Sequence, residues 1–270
     1  SSYIALVHVD GNGMGKRFKA LGEKYKSCAE NDAFVTALRE LSAAVTQVSW
    51  RAMQATIDFL QTHITDGKIT DKYRAEMAIE LENDLLPLRP LVMGGDDVTF
   101  VCEGRLGLAL AHRFLTALTS QPLPDTNKPM TARAGVAIVK SHYPFAQAYQ
   151  LVEALAASAK QDAEGANAID WHFATSGLLD DLAAIRKREY TVPPGRLHAR
   201  PLLLNHDSEW RTWGNFTNIV TNFATQWGDK RNKVKELREV LRQGDAAVQA
   251  FLALYGLPAL PKLVGQDAEG

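Results

Sequence analysis

"LVMGGDDVTFV", Leu91–Val101, sets two short apolar runs on either side of Gly94-Gly95-Asp96-Asp97. The runs read as two strands and the glycines as the tight turn between them. Two adjacent aspartates at that turn hold like charges where repulsion is hard to relieve. Glycine and aspartate are ordinary turn residues, so the stretch is either an exposed hairpin tip or a place built around a cation.

Upstream, "YIALVHVDGNGMGKRF" opens with a near-continuous β-type run, Tyr3 to Val9, which stops at Asp10 and a loop carrying Gly11, Gly13 and Gly15. A buried strand feeding a glycine-rich turn is the plain reading. If this strand neighbours the hairpin in one sheet, Asp10, Asp96 and Asp97 meet at one edge. Hard oxygen ligands of that kind, with the Gly11 carbonyl exposed beside them, suit magnesium or manganese, whose remaining ligands are phosphate oxygens and water. The segment Gly11, Asn12, Gly13, Met14 and Gly15 then turns backbone N–H groups toward phosphates, while Gly94 and Gly95 let a nucleotide lie against the hairpin. Two ions are expected, one activating an attacking hydroxyl and one stabilising the leaving oxygen of a displacement at phosphorus. Lys160, ending an alanine-rich helix, offers the triphosphate a point charge, and Asn167 opens the next strand nearby.

The rest of the chain supplies the frame. Asn31 to His63 has helical periodicity through Phe34, Leu38, Leu41, Val45, Val48, Met53, Ile57 and Leu60, with room in the pattern for a break. "TDGKITDKYRAEMAIELENDLLPLRP" is a polar excursion leading back into the hairpin. Gly104 to Leu118 reads as a helix, "QPLPDTNKP" as a loop, "MTARAGVAIV" as a strand, "FAQAYQLVEALAASAKQDA" as a strong helix, "GANAIDWHFAT" as a strand and Leu178 to Lys187 as a helix. That order mixes hairpin and crossover connections, as in an α+β, ferredoxin-like antiparallel sheet with helices packed on it. The expected domains are 1–190, with a helical excursion near 25–88; a linker over 191–206, in which Leu202 to Leu204 form an edge strand; a small helical region over 207–258; and a tail over 259–270, frayed from Gln266 onward.

Bulk composition narrows the function classes. The chain has 270 residues, 46% hydrophobic, and a formal net charge of −1. That supports a full core and gives no global bias toward nucleic acid or acidic membrane. Cys28 and Cys102 are the two cysteines, too few for a disulfide framework or a four-cysteine zinc site, which fits a cytoplasmic protein. No apolar stretch approaches a membrane span. The sequence opens on Ser1-Ser2, so the natural protein is expected to extend upstream. His206-Asp207 reads as a surface loop or helix start and His142 as part of a strand-to-helix corner. Trp210, Trp213 and Trp227 read as core of the helical region. Lys230, Arg231, Lys233, Lys235, Arg238 and Arg242 form a basic face that RNA or a protein partner can use.

"DGNGMGKRF", "GGDD", "ARAGVAIVKSHYPFAQAYQLVEALAASAK" and "GANAIDWHF" together resemble the catalytic Palm domain of the large subunit of type III CRISPR effector complexes, from Tyr3 to about Ser176. The same core occurs in GGDEF diguanylate cyclases, class III nucleotide cyclases and minimal CRISPR polymerases, so a stand-alone relative is included. The resemblance implies a metal-dependent nucleotidyltransferase that joins nucleoside triphosphates, ATP foremost, into cyclic oligonucleotide messengers for antiviral signalling, releasing pyrophosphate. It matches Asp10 to a metal-binding aspartate, Gly94 to Asp97 to the Gly-Gly-Asp-Asp hairpin, and Lys160 to a phosphate-contacting lysine. Facing nucleotides require a second Palm, from a homodimer or a partner chain. One departure stands out. Many such domains carry Asp-Gly-Asp where this chain has Asp10-Gly11-Asn12, which removes a ligand and raises the alternative of a catalytically degenerate, nucleotide-binding or structural subunit of a defence complex.

Overall fold

A computed structural model of the chain describes residues 2–70, 78–162, 165–174, 181–192, 195–204 and 210–263. The packing divides it into two compact units, Ser1–Leu178 and Leu179–Gly270.

The first unit is organised by the strand that the opening apolar run forms, β1 (Tyr3–Gly11). Helices α1 (Met14–Gly22) and α2 (Asn31–Thr62) follow, then the hairpin β2 (Leu88–Gly94) and β3 (Asp97–Glu103), helix α3 (Gly107–Leu118), β4 (Ala132–Lys140), α4 (Phe145–Asp162) and β5 (Ala168–Ala174). These five strands lie in one sheet in the order β5-β4-β1-β3-β2. β1 pairs antiparallel with both β3 and β4, and β5 joins β4 in parallel through the α4 crossover. The sheet is thus antiparallel except for that last pair, as the mixed hairpin and crossover pattern predicts.

Strand alternation assigns the two faces. Val7, Val9, Phe100 and Val136 point to the layer of α3, where Phe100 and Phe114 rings lie 5.9 Å apart, and α2 packs outside α3. His8 points the other way, to α4, with its ring 6.0 Å from that of Tyr149. Gly135, opposite His8, makes the α4 approach feasible: a Cβ there would stand 2.2 Å from the Val152 carbonyl oxygen. Asp10, two residues from His8, faces the α4 side at the strand's end.

Several elements are longer or shorter than the sequence reading. α2 runs unbroken, because no glycine or proline interrupts Asn31–Thr62 and its buried Leu41, Val45, Val48, Ala52, Met53 and Leu60 keep one apolar stripe on the core, each large side chain contributing about 1.5–3 kcal/mol. The polar excursion holds a small sheet, Ile64–Thr65, Lys68–Ile69 and Ile79–Glu80, turning at Asp66-Gly67 with positive φ at both positions, the Asp-Gly signature of a tight hairpin. The segment read as a loop after α3 contains a two-stranded hairpin, Pro122–Leu123 with Lys128–Pro129. Its carboxylate Asp125 is clamped from α1 by Arg17, at 2.5 Å to Oδ1 and 2.8 Å to Oδ2. α3 begins at Gly107 rather than Gly104, because Glu103, whose carboxylate accepts the Arg105 N–H, spans the corner.

In the second unit, helix α5 (Leu182–Tyr190) replaces the helix read from Leu178, of which 178–180 lie outside the described residues. Asp181 caps it by accepting from the Ala184 N–H at 2.7 Å. The sequence reading carries the first domain to 190, whereas the packing groups α5 with the helices that follow. Its Glu189 carbonyl accepts from Arg242 at 2.8 Å. Leu202–Leu203 is a two-residue strand. Helices α6 (Trp213–Gln226), α7 (Arg231–Val240) and α8 (Asp245–Leu254) surround a core of Trp227, Leu237, Val248, Phe251 and Leu252. Trp210 and Trp213 are half-buried and outside that cluster, a correction to their reading as core. His206-Asp207 and the tail from Gln266 lie outside the described residues.

Candidate active site

Register brings the hairpin and the first strand together. Asp10 pairs directly with Asp97 on β3 and, on its other side, with Arg133 on β4. The Gly11 N–H donates to the Asp96 carbonyl at 3.2 Å, which fastens the turn to the end of β1. Gly95 holds φ +79°, a turn conformation that L side chains rarely adopt. Its carbonyl accepts a hydrogen bond from Ser49 on α2.

Charge at this edge is only partly compensated. Burial pushes the Asp96 carboxyl above the ordinary aspartate range, and the Asp10 and Asp97 charges push it in the same direction against its own backbone hydrogen bond. Asp10 is ion-paired through Oδ2 with Nη2 of buried Arg133. Asp97 is half exposed, yet its Oδ1 is buried and accepts no hydrogen bond among the described residues; the His8 Nδ1 stands 3.5 Å away. That histidine nitrogen also lies 3.1 Å from the Thr99 hydroxyl.

The glycine segment is more ordered than a loop reading implies. β1 continues through Gly11, and α1 starts at Met14, leaving Asn12 and Gly13 as the whole connection. Gly13 is the N-cap, with φ 65° and no side-chain cap, so the first-turn N–H groups of Met14, Gly15 and Lys16 lack an intrahelical acceptor. Both polar atoms of the Asn12 side chain are engaged: Oδ1 accepts from Arg133 Nη1 at 2.5 Å, while Nδ2 donates to Thr131 Oγ1 at 3.2 Å and to the Ala166 carbonyl at 2.9 Å. Asn167 accepts the Ala132 N–H at 2.9 Å, splicing the start of β5 to that of β4. Lys160 is exposed in the last turn of α4, and no described hydrogen bond or ion pair links it to Asp10, Asp96 or Asp97. Gly94 pairs with Asp97 in the hairpin ladder.

Among the described residues, no cluster of three or more histidine, cysteine, aspartate and glutamate side chains closes around an ion. Oxygen donors with one orphaned carboxylate atom nonetheless fit a magnesium-type cation. Such an ion takes one or two carboxylates from protein and completes its shell with phosphate and water. Asp97, Asp96 and the free oxygen of Asp10 are the residues that would hold it.

Sequence reasoning had no role for Arg133, His8 or Ser49. Arg133 did leave a signal: it is the one charge in the run Thr131–Val139.

A mixed sheet with helices on both faces, carrying paired aspartates at the hairpin next to its central strand, defines a palm domain. The Cas10/Cmr2 second palm domain family matches residues 3–170, and the chain belongs to that family. Among solved structures, Csm1 of T. onnurineus is 15% identical over 100% of this chain and 34% of its own, with a TM-score of 0.56. A Csm1-Csm4 cassette in complex with cA4 is 17% identical over 99% of this chain and 33% of that one, with a TM-score of 0.50. This chain therefore spans about a third of each Csm1 chain. The GGEEF domain of a diguanylate cyclase from Vibrio cholerae also matches, at 12% identity over 65% of this chain and 85% of that one, with a TM-score of 0.35. No curated protein matches the sequence. Among the described residues no helix is long and apolar enough to cross a membrane.

Proposed function

We propose that the chain is the catalytic Palm of a nucleotidyltransferase that joins nucleoside triphosphates, ATP foremost, into cyclic oligonucleotide messengers in the cytoplasm as part of antiviral signalling. One observation carries this reading: the direct pairing of Asp10 with Asp97, and of Gly11 with the Asp96 turn, beside a helix N-terminus whose first N–H groups carry no side-chain cap. A ribose hydroxyl of one nucleotide attacks the α-phosphorus of another. The new P–O bond forms as the bond to pyrophosphate breaks, and the hydroxyl proton leaves to solvent. A bound magnesium or manganese ion lowers the pKa of that hydroxyl and offsets charge on the leaving group. The chain's own contribution is positional. Asp96 and Asp97 present oxygens at the edge, and the first turn of α1 offers N–H donors and its dipole to phosphate. Lys160, exposed in the last turn of α4, serves the triphosphate once a bound nucleotide draws its flexible four-carbon side chain in.

The Csm1 relative solved with Csm4 and cA4 supports a product of this class and a partner chain in the working assembly; two facing nucleotides call for a second Palm, from a homodimer or a partner chain. On α7, exposed Arg231, Lys235 and Arg238 offer RNA a basic face, on which Arg238 Nε stands 3.9 Å from Glu239 and Lys233 is held by Glu236 and the Tyr255 ring.

A second reading, a Palm that binds nucleotide or packs in a defence complex without turnover, is favoured by the guanidinium on Asp10 and the committed Asn12 amide. Incubation with each nucleoside triphosphate and magnesium or manganese, with products identified by mass spectrometry, separates the two. Pyrophosphate and new phosphodiesters that vanish in Asp96→Ala and Asp97→Ala support the enzyme. Nucleotide binding without either product supports the second reading.

A further inference from the structure

The carboxylate edge already contains a cation. Arg133 lies in β4, 5% exposed, and its two terminal nitrogens are divided between the Asp10 carboxylate and the Asn12 amide oxygen. A guanidinium stays protonated at any pH at which a protein folds. Its Nε is buried without a hydrogen-bond partner, so the side chain is held by its charged end. Asn12 completes the arrangement. With Oδ1 on Arg133 and Nδ2 spent on Thr131 and the Ala166 carbonyl, its amide is fixed in orientation and anchors the guanidinium.

Resting on the metal-dependent reading above, we infer that Arg133, anchored by Asn12, is a fixed internal cation that occupies one oxygen of Asp10 and so limits the site to a single divalent ion. The guanidinium brings to this edge positive charge that a second ion would otherwise supply. With Oδ2 held by Arg133, Asp10 turns Oδ1 to a metal, and the two-oxygen bridge by which a carboxylate spans a pair of ions would have to displace the guanidinium. Arg133 is therefore a positioning residue: it sets how many ions the edge accepts and which Asp10 oxygen faces them.

The test counts ions rather than products. Manganese is titrated into the full chain with the non-reacting analogue α,β-methylene ATP, and bound ion is measured by electron paramagnetic resonance. Counts are taken relative to Asp97→Ala, which removes the site. Wild type is expected to bind one ion per chain, Arg133→Lys, which keeps the charge, one, and Arg133→Gln, which removes it, two. A wild-type count other than one, two ions in Arg133→Lys, or no gain in Arg133→Gln overturns the inference. If Arg133→Gln does not fold, the wild-type and lysine counts still decide. Pyrophosphate release is scored separately. Turnover with no gain in Arg133→Gln sinks the fixed cation and leaves the enzyme standing, whereas a gain from one to two without turnover on any nucleoside triphosphate does the reverse.

Discussion

The two ends of the pairing between β1 and β3 each carry an acid with an arginine, buried Glu103 at one and part-exposed Asp10 at the other, and they are finished differently. At the far end, Glu103 is closed within its own corner: Oε2 accepts the Arg105 N–H at 2.7 Å and Oε1 accepts Arg105 Nε at 2.8 Å. At the near end, the arginine arrives from a neighbouring strand and covers one oxygen of Asp10, leaving Asp96 raised toward protonation and Asp97 Oδ1 without a hydrogen bond. The same sheet, from the same residue types, can neutralise an acid at its rim completely. Excess charge at the hairpin end is therefore a local feature and no general weakness of the sheet's margin.

The comparison can be broken most forcefully at Asp97. Asp97→Ala is expected to lower pyrophosphate release by about 10²-fold or more, with thermal unfolding nearly unchanged. A large stability loss at constant turnover would move Asp97 to the structural class that Glu103 represents. Next in size is Arg17→Ala, which strands the nearly inaccessible Asp125 carboxylate at a cost of about 3 kcal/mol, read by urea unfolding. Burial raises the Asp125 carboxyl, but the Arg17 hydrogen bond and charge outweigh it and hold it below the ordinary range. The pair's contribution is thus present above the unfolded-state value and lost as pH falls through the depressed one. The penalty of Arg17→Ala should shrink in that acid window.

Glu103→Gln is expected to cost about 1–2 kcal/mol and to leave nucleotide chemistry intact, sharpening the contrast between the two ends. The smallest effect has the opposite sign. Because the folded state raises the Asp96 carboxyl, the folded protein binds that proton more tightly and loses stability as pH climbs from the ordinary aspartate value to the raised one. Asp96→Asn should then raise the melting temperature by about 1–3 °C at neutral pH without divalent ions. The gain should disappear in acid, where Asp96 is protonated in both states. A decrease in melting temperature at neutral pH would mean that Asp96 is satisfied in a way its surroundings do not indicate.

Much of the frame was legible in the sequence. The unbroken apolar run Tyr3 to Val9, the glycine-marked hairpin and the alanine-rich crossover helix are local signals, and local signals decide strands, turns and helices. The meeting of Asp10 with the hairpin aspartates followed from assuming one sheet, and the register bears that adjacency out. Asp66-Gly67 was equally local, yet its charged flanks hid the hairpin it makes. Arg133 was hidden for another reason. Its partners Asp10 and Asn12 lie far away in sequence, and only the β1–β4 register brings them alongside. The extent of the glycine segment was likewise settled by pairing: Gly11 is held in the ladder opposite Ala132, which leaves two residues where five were read as a loop. Trp210 and Trp213 look like Trp227 in composition, but burial depends on which helical face the second unit closes over, and that is a property of packing.

β1 lies in the middle of the sheet, laddered on both sides, with Asp10 on the α4 face and Val9 on the α3 face. Successive side chains alternate, so a single-residue insertion or deletion between Tyr3 and Val9 would rotate the aspartate into the apolar layer and a valine out to the edge. Descendants of this gene can lengthen or trim the excursion between Thr62 and Leu88 with little consequence for the carboxylates. In the first strand, by contrast, indels are closed to drift, and change has to proceed by substitution alone.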